Sequence, residues 1–315
     1  MDVGQFLIQL LLLAAGFVLL VKGADWFVEG ASGIADKLGI PQLVIGLTIV
    51  AMGTSAPETA VSITAALKGN ADIAVGNVVG SNILNILIIL GISSVITSIA
   101  VAKTTIRYEI PIMLAITVLL LVFGANGGTI CLWEGIVLLA CFVAYLGYMF
   151  LMVKKGQMQS EEIEDTKRPI WLMLLMGVVG LGLIIWGSDV TVDAATSLAK
   201  IFGLSEKFIG LTVVALGTSL PELFTSVIAA RKGKADIAIG NIVGSNIFNI
   251  LFVIGTSALI LPVTFEMSFV IDCLVAVGAG VVLWLCVCRK KKLKRLDGII
   301  MLACYAGYFA YLLLK

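Results

Sequence analysis

The sequence predicts an all-α membrane protein of ten transmembrane helices in two inverted five-helix repeats, with broken helices at its centre, and three observations predict it. The first is composition. Of 315 residues, 60% are hydrophobic and 13% charged, with a mean hydropathy of +1.11, whereas soluble domains carry about 45–50% apolar residues. The second is an internal repeat. Gly46 to Leu87 reads GLTIVAMGTSAPETAVSITAALKGNADIAVGNVVGSNILNIL; 164 residues later Gly210 to Leu251 reads GLTVVALGTSLPELFTSVIAARKGKADIAIGNIVGSNIFNIL, identical at 29 of 42 positions without a gap. The third is spacing. A helical span needs about 20 apolar residues, and ten such runs can be marked: roughly 5–24, 41–67, 71–98, 107–124, 130–153, 170–196, 205–230, 235–261, 266–288 and 296–314.

The N-terminal run begins with Asp2 instead of a basic segment, so it reads as a retained first span and not as a cleaved leader. The 164-residue offset also pairs Gly23, Asp25, Val28 and Ala31 with Gly187, Asp189, Val192 and Ala195. The duplicated unit is therefore about five spans: 1–153 is the first repeat, 154–169 a polar loop and 170–315 the second repeat. An odd number of spans per unit inverts the second copy in the membrane. Basic residues agree. With both termini outside, seventeen of the 21 lysines and arginines fall on the cytoplasmic side and four, Lys68, Lys200, Lys207 and Lys315, outside. This places the 154–169 loop in the cytoplasm and the chain in a cytoplasmic (inner) membrane.

Other features read more simply. The connections are too short for a soluble domain, and no exposed face remains to read nucleic acid. The basic run Arg289 to Arg295 is an ordinary topology determinant, and the acidic run Glu161 to Asp165 a solvated loop. Cys286 and Cys288 lie two apart on a helix and point in different directions, so the six cysteines read as buried thiols and not as a metal clamp.

The informative residues lie in the repeated segment. Ser55-Ala56-Pro57-Glu58 and Ser219-Leu220-Pro221-Glu222 carry the S-x-x-E pattern with an early proline that starts a helix. Each sits mid-span after Gly53 or Gly217, so the helix breaks and restarts inside the membrane. The break leaves carbonyls and amides without partners, tolerable only in protein or along a cavity. A capping box would explain each serine and glutamate locally. Yet a carboxylate near the bilayer centre costs about 2.5–3.5 kcal/mol even on a lenient scale, and there are two. A cation site explains them better.

The following helix of each copy supplies Gly76, Asn77, Gly80, Ser81, Asn82 and Asn85, or Gly240, Asn241, Gly244, Ser245, Asn246 and Asn249. Ser81 and Asn85 share a face; the glycines equally suit close helix packing. Asn82 and Asn246 are expected to bond broken backbone, and Asp72 and Asp236 to be first-turn acids. Carboxylates, hydroxyls, amides and freed carbonyls, with no histidine in the chain, suit calcium, sodium or magnesium. Two glutamates neutralise one calcium or two sodium ions, so one site can trade them.

GTSAPE with GNVVGSNILNI, and GTSLPE with GNIVGSNIFNI, resemble the sodium/calcium exchangers of the calcium:cation antiporter superfamily, in the prokaryotic form without a regulatory domain. The resemblance covers all ten spans. It implies a secondary antiporter that exchanges sodium for calcium by alternating access and extrudes calcium as sodium enters. It implies that Glu58 and Glu222 bind calcium with the Thr54 and Thr218 carbonyls. Ser55, Ser219, Ser81, Ser245 and the Ala51 and Ala215 carbonyls would complete sodium sites, with Asn85 and Asn249 near the centre and the first and sixth spans sliding across this core. The chain departs from many relatives at Asn249, where an aspartate is common, and the alternatives are proton/calcium or potassium-dependent exchange. An intramembrane hydrolase is disfavoured, because histidine, the commonest base, is missing. Cations and membrane lipid are the expected partners, with no enzyme activity, cofactor or obligate protein partner.

Overall fold

The computed structural model describes residues 3–154, 168–202 and 215–314. The chain is an all-helical polytopic membrane protein. Among the described residues eight helices are long and apolar enough to span a membrane, or nine if one bent pair counts as a span. The expected run 205–230 begins outside the described residues; its remainder forms α8 (Ala215–Thr218) and α9 (Leu220–Arg231).

Helices α1 (Val3–Leu38) and α7 (Ile170–Ile201) are the longest, at 36 and 32 residues. The expected spans 5–24 and 170–196 were too short at their C-terminal ends. Polar residues such as Asp25, Glu29 and Lys37 do not end α1, because their side chains find ion-pair and hydrogen-bond partners at the protein surface. The two helices pack antiparallel along much of their length. Phe6 meets Phe202 edge-on at 6.1 Å, Gly16 faces Gly187, Gly23 faces Gly180, and Gly30 faces Gly177. Backbone lies directly on backbone here: a Cβ added to Gly180 would come within 2.5 Å of the Phe27 amide nitrogen. Small residues permit this approach where lipid offers no hydrophobic drive for association.

The core is built from broken and deeply buried helices. Helices α2 (Gln42–Thr54) and α3 (Ala56–Leu67) meet at a 49° bend, and α8 and α9 repeat the break. Helices α4 (Asp72–Ile96) and α10 (Ala235–Ile260) are the most enclosed: 72% and 94% of their most apolar stretch is buried, against 11% for α1. They therefore form the centre, and α1 with α7 lies at its flank. Each central helix widens to π-helical turns at the same repeat position, Asn85–Leu90 and Asn249–Ile254, a feature common at functional sites.

Outside the core stand α5 (Thr105–Ala125), α6 (Leu132–Lys154), α11 (Met267–Cys288) and α12 (Arg295–Leu314). Four two-residue strands tie the halves together. Strand β1 (Ile99–Ala100) pairs antiparallel with β4 (Lys292–Leu293), and β2 (Thr129–Ile130) with β3 (Val263–Thr264). The offset maps β1 onto β3 and β2 nearly onto β4, so every pair joins one copy to the other. The free cysteines are not uniformly buried as expected. Cys273 is buried, but Cys131, just before α6, and Cys304, on the outer helix α12, are exposed.

The α1–α7 contact yields a matched pair of tests. Gly180→Ala should lower the melting temperature of the detergent-solubilised protein by the equivalent of about 1–3 kcal/mol of overpacking. Gly182→Ala, on the same helix with nothing within 4 Å of its added methyl, should leave it unchanged or slightly raised. Equal melting temperatures would show that the backbone contact contributes nothing.

Candidate ion site

The helix break is visible residue by residue. Ser55 and Ser219 have φ, ψ of −82°, 13° and −89°, 4°, in the sparsely populated bridge region. The Ser55 amide still bonds the Ala51 carbonyl and the Thr59 amide bonds the Ser55 carbonyl, both at 3.1 Å. Between them Pro57 has no N–H to give, so the Gly53 carbonyl four residues earlier receives no helical bond from it. In the second copy the Gly217 carbonyl is taken by the Ser188 hydroxyl of α7 at 2.8 Å.

Both glutamates are buried at the break, but neither forms a capping box. The break serines make no side-chain cap bond and instead reach across the pseudo-twofold axis. Ser55 Oγ donates to Glu222 Oε1 at 2.8 Å, and Ser219 Oγ to Glu58 Oε1 at 3.3 Å. The serines of the central helices complete each set: Ser81 Oγ donates to Glu58 Oε1 at 3.4 Å, and Ser245 Oγ to Glu222 Oε1 at 3.5 Å. Ser245 also reaches the Ala51 carbonyl at 3.3 Å. Each carboxylate is thus held by one serine from either repeat.

The asparagines interlock α4 with α10. Asn82 Nδ2 donates to the Asn246 carbonyl at 3.1 Å and Asn246 Nδ2 to the Asn82 carbonyl at 3.2 Å. These bonds run to the opposite central helix, not to the broken backbone of the Gly-Thr-Ser segments. The reason is proximity: α4 and α10 cross at these residues, each just before its π-helical turn. Asn85 Nδ2 bonds Asn246 Oδ1 at 2.9 Å, and Asn249 Nδ2 bonds Asn82 Oδ1 at 3.2 Å. Four buried oxygens are left without a partner at this centre: Glu58 Oε2, Glu222 Oε2, Asn85 Oδ1 and Asn249 Oδ1. An unpaired buried acceptor costs about 1–3 kcal/mol, and here there are two symmetry-related pairs of them.

Of the expected site residues, Glu58, Ser219 and Ser81 form one bonded cluster, and Glu222, Ser55, Ser245 and the Ala51 carbonyl form another. Asn85 and Asn249 add unpartnered oxygens. Thr54 is fixed by a 2.9 Å bond from its hydroxyl to Asn241 Oδ1. Thr218, by contrast, lines an open crevice of about 600 Å³ together with Ala56, Pro57, Val61, Asp189 and Asp193. Ala215 heads the described part of the second copy.

Sequence reading missed the supports. Asn77 Nδ2 donates to the Glu58 carbonyl at 3.1 Å and to Ser62 Oγ at 2.9 Å. Asn241 does the same for Glu222 and Ser226, at 3.4 and 2.9 Å. Their identity in both repeats was the available signal. A further buried acid, Glu109, accepts a 3.0 Å bond from Tyr148 and leaves Oε2 unpaired; at the edge of an apolar run it resembled a boundary residue.

Two carboxylates with hydroxyls, amide oxygens and freed carbonyls make an all-oxygen set, the chemistry of hard cations. Comparison with known proteins agrees. The chain is 42% identical to the putative antiporter CaxA of Alkalimonas amylolytica over 96% of its own length and 98% of that protein's. It is 32% identical to the sodium/calcium exchanger MaX1 of Methanosarcina acetivorans over 97% and 98%. Its structure superposes on the sodium-calcium exchanger NCX_Mj, soaked without sodium and calcium, with a TM-score of 0.84 at 32% identity, covering 97% and 99% of the chains. The family model described as sodium/calcium exchanger protein matches residues 8–151 and 172–314, and the chain belongs to that family.

Proposed function

We propose that this protein exchanges sodium for calcium across the membrane by alternating access, and that the ions meet at Glu58 and Glu222. The observation that carries the reading is the set of four unpartnered oxygens, two carboxylate and two amide, at the crossing of the two repeats. A charge of −2 held away from water demands compensation. One calcium ion supplies it, and so do two sodium ions; the two cargoes therefore compete for the same acids and cannot be carried together.

In this reading Glu58 and Glu222 hold calcium with the Thr54 and Thr218 carbonyls. Ser55, Ser219, Ser81, Ser245 and the carbonyls of Ala51 and Ala215 supply sodium ligands, and Asn85 and Asn249 present oxygen at the centre. Asn77 and Asn241 position the glutamates by fixing their main chain. The crevice at Thr218 is the entry route in the state observed, and α1 with α7 is the body that slides to close it. The protein sits in the cytoplasmic membrane, with both termini outside and the 154–169 loop inside, and uses sodium entry to drive calcium out. Residues 1–153 and 170–315 are its two inverted repeats.

Three measurements test this. Glu58→Gln and Glu222→Gln should each reduce calcium-45 flux into sodium-loaded proteoliposomes on the order of a hundredfold or more, the effect of unbalancing a buried charge pair. Normal calcium affinity in either variant would remove that acid from the site, and flux driven equally well by a proton or potassium gradient would replace sodium as the coupling ion. If three sodium ions move per calcium, each cycle carries one net charge, worth about 2.3 kcal/mol per 100 mV. Flux should then follow an imposed voltage, and indifference to voltage would exclude that ratio. A cysteine placed at Gly156 in a cysteine-free background should resist membrane-impermeant labelling in intact cells; ready labelling would overturn the proposed orientation.

A further inference from the structure

We propose that two sets of charged residues, related by the repeat, are alternating latches for the two ends of the transport pathway. One set is closed in this structure. Lys232, just past α9, lies 2.7 Å from Asp25 Oδ1 and 3.6 Å from Glu29 Oε2 on α1, and also donates to the Asp25 carbonyl at 3.1 Å. Arg168, just before α7, pairs with Glu29 at 2.5 Å. The Lys232 contacts tie α1 to a core helix at the end of the molecule where α1 finishes, and the Arg168 pair joins α1 to the start of α7 there.

The 164-residue offset carries Asp25 to Asp189, Glu29 to Asp193 and Lys232 to Lys68. The second set thus repeats three of the four charges: two acids four apart on one face of a long helix, and a lysine directly after a half-helix that follows a break, while Arg168 maps to Gly4 and has no counterpart. Here that set is open. Asp189 and Asp193 line the wide crevice, and among the described residues no ion pair joins either of them to Lys68.

Two further observations match the assignment. The crevice on the Asp189 side measures about 600 Å³, whereas the one beside Glu29 and Lys232 measures about 130 Å³. Val61, in the wide crevice, is 41% exposed, while Thr225, its counterpart under the offset, is 0% exposed. Alternation interchanges the two ends: sliding α1 and α7 parts Lys232 from Asp25 and Glu29 and brings Lys68 to Asp189 and Asp193. The closed pairs are partly solvated, with side chains 30–40% exposed for Lys232, Asp25 and Glu29. Such pairs bias an equilibrium by about two- to fivefold each, enough to hold a state and weak enough to break every cycle.

The proposal rests on alternating access, and its test is separate from ion flux. Thr225→Cys in the full-length protein reports the rarer state, because its labelling rate by a water-soluble maleimide scales with the population in which that end is open. Working in detergent removes any dependence on orientation, and peptide mass spectrometry at position 225 leaves the native cysteines in place. Lys232→Ala should speed labelling about two- to fivefold, and Lys68→Ala, at the far end of the molecule, should slow it by a similar factor. Exchanging charges, Lys232→Asp with Asp25→Lys, should return the rate toward that of the parent. Should Lys232→Ala not fold, Lys232→Gln replaces it. Changes of the same sign in both lysine variants, or no change in Lys68→Ala, would overturn the latch whatever ion is carried, since local loosening around Lys232 cannot slow labelling from Lys68.

Discussion

Two carboxylates buried within an apolar bundle impose the requirement that the rest of this structure meets. Among the described residues neither glutamate has a basic partner; serine hydroxyls satisfy one oxygen of each and leave the other unpaired. The break in each repeat exists to deliver those acids together with freed carbonyls, and the π-helical turns at Asn85 and Asn249 deliver amide oxygens to the same crossing. A helix without the proline and the bridge-region serine would place the same glutamate on a regular face with its backbone fully bonded to itself.

The division of labour follows from how much each helix buries. Helices α4 and α10 are enclosed and joined by reciprocal asparagine bonds, which resist relative motion because any shift leaves buried carbonyls and amides unpaired. Helices α1 and α7 touch the core along one side only and hold each other by glycine-lined backbone contact. The centre and the flank are thus held by different side-chain chemistries: amides in the first case, missing side chains in the second.

Much of this was legible in the sequence, because an internal repeat supplies its own comparison. The broken spans, both acids and most helix limits, within two residues outside α1 and α7, could be read from Gly-Thr-Ser-x-Pro-Glu and from apolar run length. What could not be read was the partner of each polar group. Ser55 and Glu58 have the spacing of a capping box, and only the folded chain shows that Ser55 answers Glu222 while Ser219 answers Glu58. The Asn82–Asn246 exchange is likewise a contact across 164 residues that no local pattern encodes. The end of α1 was misjudged for a related reason: charges that look like a terminus are accommodated when Lys232 and Arg168 arrive from elsewhere.

The crosswise strands have a consequence for how the molecule is made. Every β-pair, β1 with β4 and β2 with β3, takes one partner from each half, as do the asparagine exchange and one serine bond to each glutamate. A first half that has just left the ribosome therefore has its strand edges, its amides and its acid all waiting for a sequence not yet synthesised. Those contacts close only once the second half is present.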